Sequence, residues 1–210
     1  LTGGPTGAAL TAGNTVVIKP ATDTAWIVRL YAECLRDAGF PDGVVNFVTG
    51  PGSTLGQALV DSPEFDGATF TGSFDVGMKM FQDFGTRNYI RPTILELGGK
   101  NPVIVSKNAD LERATIGILR SAFGLQGQKC SAASRAFIPK SLWPAVEKSL
   151  VETVKELKVG DVEDFENFLG AVIDQKAFDR IKGYIDEAKA SKDAKIIAGG
   201  DTSDKKGYFI

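Results

Sequence analysis

Residues 14–50, NTVVIKPATDTAWIVRLYAECLRDAGFPDGVVNFVTG, contain two short apolar runs with a helical pattern between them. The first run, NTVVIKP (14–20), is β-branched and ends in a proline, which is typical of a buried strand. In residues 24–40 the apolar residues recur at intervals of three and four, as on one face of a helix. A second strand is predicted in GVVNFVTG (43–50). This order predicts parallel strands joined by a right-handed helical crossover.

The same alternation of strands and helices continues along the chain. Further strands are predicted at GATFTG (67–72), PTILELGG (92–99), NPVIVS (101–106), SRAFIP (134–139) and AKIIAGG (194–200). Helices are predicted at 51–62 after a turn, 74–85, 110–124, 142–157 and 174–191. We therefore expect an α/β fold. A doubly wound, mostly parallel, Rossmann-like sheet should occupy residues 1–95, and residues 96–210 should form the first part of a second α/β domain.

The composition excludes several classes of function. The chain has 210 residues, 43% of them hydrophobic, and a formal net charge of -2, so it lacks the basic character of a nucleic-acid-binding protein. No apolar run approaches the roughly 20 residues of a membrane-spanning helix, and no secretion signal is recognisable. Histidine is absent, which removes Ser-His-Asp and Cys-His catalysis and histidine-containing zinc sites. We predict no metal site.

The two cysteines lie in different sequence contexts. Cys34 falls on the apolar face formed by Ile27, Leu30, Tyr31, Leu35 and Ala38, which predicts a core residue. Cys130 lies in GLQGQKCSAAS (124–134), which has no apolar periodicity. From this stretch alone it is either a reactive thiol or an incidental loop cysteine. Such a pair does not indicate a disulfide framework, so a reducing compartment is expected.

Three positions at predicted strand ends have residues that are candidates for ligand binding or catalysis. In FTGSFDVG, Gly72 and Ser73 mark a strand-to-helix turn with Gly77 one turn further on, which is either an anion site at a helix start or a simple capped turn. Glu96 ends a strand before two glycines and is either a general base, if burial raises its pKa, or a surface residue. Lys19 is either a solvated lysine or a donor to a ribose hydroxyl. No G-x-G-x-x-G follows the first strand, so a nucleotide would be held in another way.

Taken in order, GNTVVIKP, FTGS, LELGGKNP and GQKC resemble motifs of the aldehyde dehydrogenase superfamily. The separation of Glu96 and Cys130, 34 residues (130 − 96), also resembles the spacing of the general base and the nucleophile in that family. The resemblance extends over essentially the whole chain. It covers only the middle of a complete family member, and the chain lacks an initiator methionine, so we expect a segment of a longer polypeptide. We refer to that polypeptide as the full-length protein.

The resemblance implies roles for the residues at these motifs. Residues 1–95 would form an NAD-binding domain and residues 96–210 a catalytic domain, each incomplete at its outer end. Cys130 would be the nucleophile and Glu96 the base that activates water. NAD would be the cofactor, with NADP not excluded because Thr22 stands where many relatives have a glutamate. The cofactor-binding residues implied are Lys19, Gly72, Ser73, Gly77 and Gly98.

Within this superfamily, four segments resemble the 1-pyrroline-5-carboxylate dehydrogenases of proline catabolism: GQKCSAASR, SLWP, KVGD and AVIDQKAFDRIKGYIDEA. This implies L-glutamate γ-semialdehyde as the substrate, with Ser131 anchoring its α-carboxylate. Another aldehyde dehydrogenase subfamily is the alternative. The full-length protein is expected to be a homo-oligomer in the cytoplasm or mitochondrial matrix, with no nucleic-acid or membrane partner.

Two functional groups of the family fall outside the chain. The asparagine of the oxyanion hole would precede Leu1, and the glutamate that positions the nicotinamide ribose would follow Ile210. The isolated segment is therefore also compatible with a non-catalytic, nucleotide-binding piece.

Overall fold

The computed structural model describes residues 1–85 and 89–210. The chain divides into two compact units, Leu1–Gly98 and Gly99–Ile210. Both contain parallel strands alternating with helices, which confirms the predicted α/β class. The assignment of the two predicted domains to cofactor binding and to catalysis stays a prediction.

Short strands alternate with longer helices through the described parts of the chain. The strands are β1 (Val16–Ile18), β2 (Val45–Phe47), β3 (Ala68–Thr71), β4 (Thr93–Glu96), β5 (Asn101–Ile104) and β6 (Ala133–Phe137). The helices are α1 (Gly3–Thr11), α2 (Ala25–Asp37), α3 (Gln57–Asp61), α4 (Phe74–Gly85), α5 (Leu111–Phe123), α6 (Trp143–Glu156) and α7 (Gln175–Ala190). None of these helices has both the length and the apolar character needed to cross a membrane.

The strands pair in parallel as β1 with β2, β3 with β4, and β5 with β6. One main helix crosses over within each pair: α2, α4 and α5 respectively. Within residues 1–85 and 89–210, ladder hydrogen bonds join the strands only in these pairs, so the expected sheet is present as separate parallel pairs. Parallel pairing places the carboxyl ends of both strands at one edge, where ligands of open α/β sheets bind.

In the first unit, a buried aromatic ring and a buried arginine hold the segment that leads into β4. The ring of Phe84, near the end of α4, is almost completely buried. The guanidinium of Arg91 lies 3.5 Å from the centre of that ring and donates to the carbonyl oxygens of Ser62 at 3.1 Å and Phe65 at 3.2 Å. The chain entering β4 is thus held by a buried cation that packs on an aromatic face and donates to backbone carbonyls, while its Nε has no hydrogen-bond partner among the described residues.

The core of the second unit lies among β5, α5 and α6. Val105, Ile118 and Val146 form its buried centre, and Val146 is fully buried. Helix α5 begins at an N-cap, Asp110, whose carboxylate accepts from the Arg113 N–H at 3.0 Å. This cap satisfies one of the otherwise unpaired amides of the first turn. A smaller cluster lies at α7 and is formed by Val172, Ala177 and Phe178.

Two local predictions were wrong or incomplete. Residues 194–200 form no strand. Gly199 and Gly200 have φ values of +69° and +88°, which turn the chain away from an extended path. Helix α1 was not predicted, because the glycine- and proline-containing run at Gly3–Thr11 carries no clear apolar stripe.

The prediction that Cys34 is a core residue was also wrong, because its side chain is exposed. The face of α2 that is buried contains Val28, whereas Ile27 is 65% exposed. Apolar residues occupy two adjoining faces of this helix, so periodicity alone could not decide which of them packs against β2.

Candidate active site

Lys19 follows directly after β1, at the carboxyl edge of the β1–β2 pair. Its half-buried ammonium donates to the carbonyl oxygen of Pro20 at 2.6 Å and, over a longer 3.4 Å, to that of Gly50 beyond β2. A lysine ammonium has three N–H groups, so one donor remains for a ligand. The Lys19 ammonium therefore lies at the strand edge where a ribose contact was expected.

Glu96 ends β4, and the strand register places it opposite Thr71, the last residue of β3. The N–H of Gly72 donates to the carbonyl oxygen of Glu96 at 3.0 Å, which extends the ladder by one bond. Ser73 follows and leads into α4. The backbone therefore brings Gly72, Ser73 and Glu96 together at one strand edge. The side chain of Glu96 is exposed, so the burial on which the sequence-based argument for a general base relied is absent.

The three glycines predicted to bind a cofactor have different surroundings. A Cβ on Gly72 would lie 2.4 Å from the ring of Phe70, and one on Gly77 would lie 2.5 Å from a terminal methyl of Leu97. Gly77 is buried and permits close packing of α4 on the chain after β4. Gly98 has no atom within 4 Å of the position of a Cβ, so it leaves open space. Packing thus accounts for two of these glycines before any ligand is considered.

The start of α4 offers unpaired backbone amides to an anion, but a nearby carboxylate would repel that anion. The first amides of a helix have no intrahelical acceptor, and the N–H of Gly77 is the one that reaches back to the carbonyl of Ser73, at 3.0 Å. The Gly72 amide is already used in the ladder, so the donors available to a ligand come from the residues after it. Asp75 in the first turn places a carboxylate close to these amides.

Cys130 lies in the second unit, in the loop between α5 and β6, and its thiol is exposed. Asn101, at the start of β5, donates its side-chain N–H groups to the carbonyl oxygens of Cys130 at 2.6 Å and of Ala132 at 3.3 Å. Among the described residues, none accepts a hydrogen bond from the N–H of Cys130. The carbonyl side of this residue is therefore held while its thiol and N–H remain available.

The loop that leads to Cys130 contains an unusual turn. Leu125 and Gln126 have φ values of 54° and 56°, and Gly127 continues the turn at 67°. Two successive residues with side chains in this region are costly unless their surroundings hold them there. With its amide group oriented to match its neighbours, Gln126 accepts from the Gly170 N–H at 2.7 Å and donates to the Leu125 carbonyl at 3.0 Å. The turn is thereby tied to the segment after α6.

Ser131, the predicted substrate-anchoring residue, is exposed beside Cys130. Sequence reasoning did not identify Asn101 or Gly99 as neighbours of Cys130. A Cβ on Gly99 would lie 2.8 Å from the carbonyl oxygen of Cys130, so the two backbones approach closely. The only signal was that both residues belong to the motif LELGGKNP; nothing local to that motif indicated contact with a loop 29 residues further along the chain.

Comparison with known proteins decides the family. The model of the aldehyde dehydrogenase family matches residues 1–210. The chain belongs to the aldehyde dehydrogenase family. This confirms the resemblance carried by the four sequence motifs.

Named relatives of this aldehyde dehydrogenase chain include 1-pyrroline-5-carboxylate dehydrogenases. The chain is 43% identical over 207 residues to 1-pyrroline-5-carboxylate dehydrogenase 1 of Halalkalibacterium halodurans, covering 97% of this chain and 40% of that protein. It is 44% identical over 211 residues to the 1-pyrroline-5-carboxylate dehydrogenase of Bacillus cytotoxicus, covering 99% of this chain and 41% of that protein. The predicted similarity to this subfamily is confirmed.

Solved aldehyde dehydrogenase structures have the same fold. The NAD-bound Delta-pyrroline-5-carboxylate dehydrogenase of Mycobacterium tuberculosis superposes with a TM-score of 0.88 at 37% identity, over 94% of this chain and 38% of that one. The NAD⁺ complex of an aldehyde dehydrogenase from Bacillus cereus gives a TM-score of 0.93 at 37% identity, over 98% and 41% of the two chains. The chain spans about two fifths of the length of the curated relatives it matches.

Proposed function

We propose that the full-length protein oxidises an aldehyde to a carboxylic acid through a thioester on Cys130. The observation that carries this proposal is the exposed Cys130 thiol, whose carbonyl is fixed by Asn101 while its own N–H has no acceptor among the described residues. A nucleophile of this kind needs access to substrate and a nearby donor for the oxygen that becomes negative. In this proposal Cys130 provides both, through its exposed thiol and its own N–H.

In the proposed reaction, the deprotonated sulfur of Cys130 forms a bond to the aldehyde carbon, and the carbonyl electron pair moves onto oxygen. The N–H of Cys130, which has no acceptor among the described residues, would donate to that oxyanion. Bound NAD would supply the hydride acceptor, and loss of hydride from this carbon would leave a thioester on Cys130. Glu96 then takes a proton from water as the water oxygen attacks the thioester carbon, and the acid departs as sulfur leaves.

The described residues offer a donor set that fits a dinucleotide. The free donor of Lys19 suits a ribose hydroxyl, while Ser73 and the first amides of α4 suit the pyrophosphate. Gly98 adds open space, and Gly72 and Gly77 shape the turn. The NAD-bound Mycobacterium and Bacillus relatives support NAD as the cofactor. Thr22 carries no charge to repel a 2′-phosphate, so NADP remains the second cofactor of the proposal.

For the substrate, we propose L-glutamate γ-semialdehyde, which would be converted to L-glutamate. The support is the identity of about 43% to proteins named 1-pyrroline-5-carboxylate dehydrogenase and the exposed Ser131 hydroxyl next to the nucleophile. A hydroxyl and backbone amides can bind a carboxylate without an opposing charge. Simple aldehydes handled by another subfamily are the alternative. The two unpaired cysteines suit a reducing compartment such as the cytoplasm or mitochondrial matrix, and we propose a homo-oligomer.

The decisive experiment replaces each cysteine separately in the full-length protein. Cys130→Ala should abolish NADH formation from the semialdehyde, because the proposed thioester forms on the Cys130 sulfur. Cys34→Ala is the matched control and should leave turnover within about twofold, since Cys34 is an exposed residue of α2 with little packing to lose. Steady turnover by the Cys130→Ala protein would refute the covalent mechanism.

A further inference from the structure

The side chain of Asn101 spans two carbonyl groups of the loop that carries Cys130. Its amide nitrogen donates to the Cys130 oxygen at 2.6 Å and to the Ala132 oxygen at 3.3 Å. A side-chain amide has two N–H donors, so both are committed to this loop. The carbonyl groups of Cys130 and Ala132, the residues on either side of Ser131, are thereby held by one side chain.

The strand pairing around Asn101 shows why a side chain is needed there. Asn101 pairs with Ala133, but the next pair is Pro102 with Arg135, so Ser134 is an extra residue in β6. Pro102 has no N–H to donate, and a bulge interrupts the ladder at the same place. The backbone ladder therefore ends just where the loop joins β6, and the Asn101 amide supplies the bonds beyond it.

Gly99 lies next to the Asn101 amide and also approaches the Cys130 carbonyl. The position of a Cβ on Gly99 lies 2.8 Å from the Cys130 oxygen and 3.0 Å from the Asn101 amide nitrogen. Gly99 and the Asn101 amide thus lie close together against the Cys130 carbonyl oxygen, which Gly99 approaches closely and to which Asn101 donates. Neither contact involves the thiol.

We propose that Asn101 is a positioning residue for Cys130. Asn101 acts through the main chain. By fixing the carbonyl group of Cys130, it keeps the sulfur and the N–H of Cys130 at constant distances and angles from the bound aldehyde. The inference rests on the proposed function, because it assigns Asn101 to the same reaction. Misplacement of a reacting group by about 1 Å can cost on the order of a hundredfold in rate. Loss of the two Asn101 hydrogen bonds therefore lowers kcat far more than it raises KM.

The test uses Asn101→Asp and Asn101→Ala in the full-length protein. Aspartate has nearly the same shape, but its carboxylate offers only acceptors to two carbonyl oxygens. Both variants should lower kcat by about tenfold to a hundredfold, with KM for the aldehyde changed by less than about threefold. Ser134→Ala is the matched control. Its hydroxyl is 3.5 Å from the Asn101 carbonyl and does not contact Cys130, so its kcat should stay within about twofold of the unaltered protein.

Hydrogen exchange provides a readout that needs no turnover. The amides of Ala132 and Ala133 are bonded to the Lys129 carbonyl and the Ser121 hydroxyl. They should exchange at least about tenfold faster in the Asn101 variants, while the amides of α6 stay protected. Unchanged exchange at Ala132 and Ala133, or loss of protection throughout residues 99–210, would overturn the proposal. Turnover by Cys130→Ala would instead refute the proposed function. The exchange result would still show whether Asn101 holds the loop.

Discussion

Substituting Gly99 by alanine is a stringent test of the close approach between this residue and Cys130. The added Cβ would lie 2.8 Å from the Cys130 oxygen, whereas ordinary contact begins at 3.4 Å, so one backbone must move by about 0.6 Å. The opposing atom belongs to the main chain and cannot rotate away. Crowding of this kind typically costs about 1–3 kcal/mol of stability.

The substitution should slow the reaction as well as destabilise the fold. A shift of about 0.6 Å in the nucleophile's own backbone should lower kcat by roughly tenfold or more, equivalent to about 1.4 kcal/mol in the activation free energy. Steady-state NADH formation by the full-length Gly99→Ala protein measures this loss, and thermal unfolding measures the change in stability.

A second glycine in the same unit is the control. Gly117 lies within α5, and nothing stands within 4 Å of a Cβ at that position. Gly117→Ala should leave kcat unchanged and stabilise the helix by up to about 1 kcal/mol. Equal kcat values for the two alanine variants would refute the argument that Gly99 is required by its approach to Cys130.

Two further predictions concern the chemistry. Glu96→Gln should permit one rapid burst of NADH followed by a much slower steady state, because an amide cannot take a proton from the attacking water; rapid-mixing absorbance measures the burst, and unchanged steady turnover would assign Glu96 to structure. Ser131→Ala should raise KM for glutamate γ-semialdehyde several-fold more than for an uncharged aldehyde of similar length, because only the former has an α-carboxylate to bind. Steady-state kinetics with both substrates measures the difference, and equal changes would favour another aldehyde dehydrogenase subfamily.

The α/β class could be read from the sequence because it depends on local patterns. The β-branched run at Val16–Ile18 and the helical periodicity of Ala25–Asp37 are properties of neighbouring residues, and both elements form where they were predicted. Periodicity failed where two faces compete: Ile27 and Cys34 are exposed while Val28 is buried. It also failed at residues 194–200, where no described strand pairs with the apolar run and where Gly199 and Gly200 have positive φ values.

The sequence alone determined which residues are candidates for chemistry, because a thiol in a polar glycine-rich loop and a glutamate at a strand end are recognisable from their neighbours. Only the tertiary structure decided what holds Cys130. Asn101 and Gly99 meet Cys130 across 29 and 31 positions of the chain, through the pairing of β5 with β6. Such contacts are set by strand register and by the bulge at Ser134, which depend on how distant segments pack and leave no periodic trace in either segment.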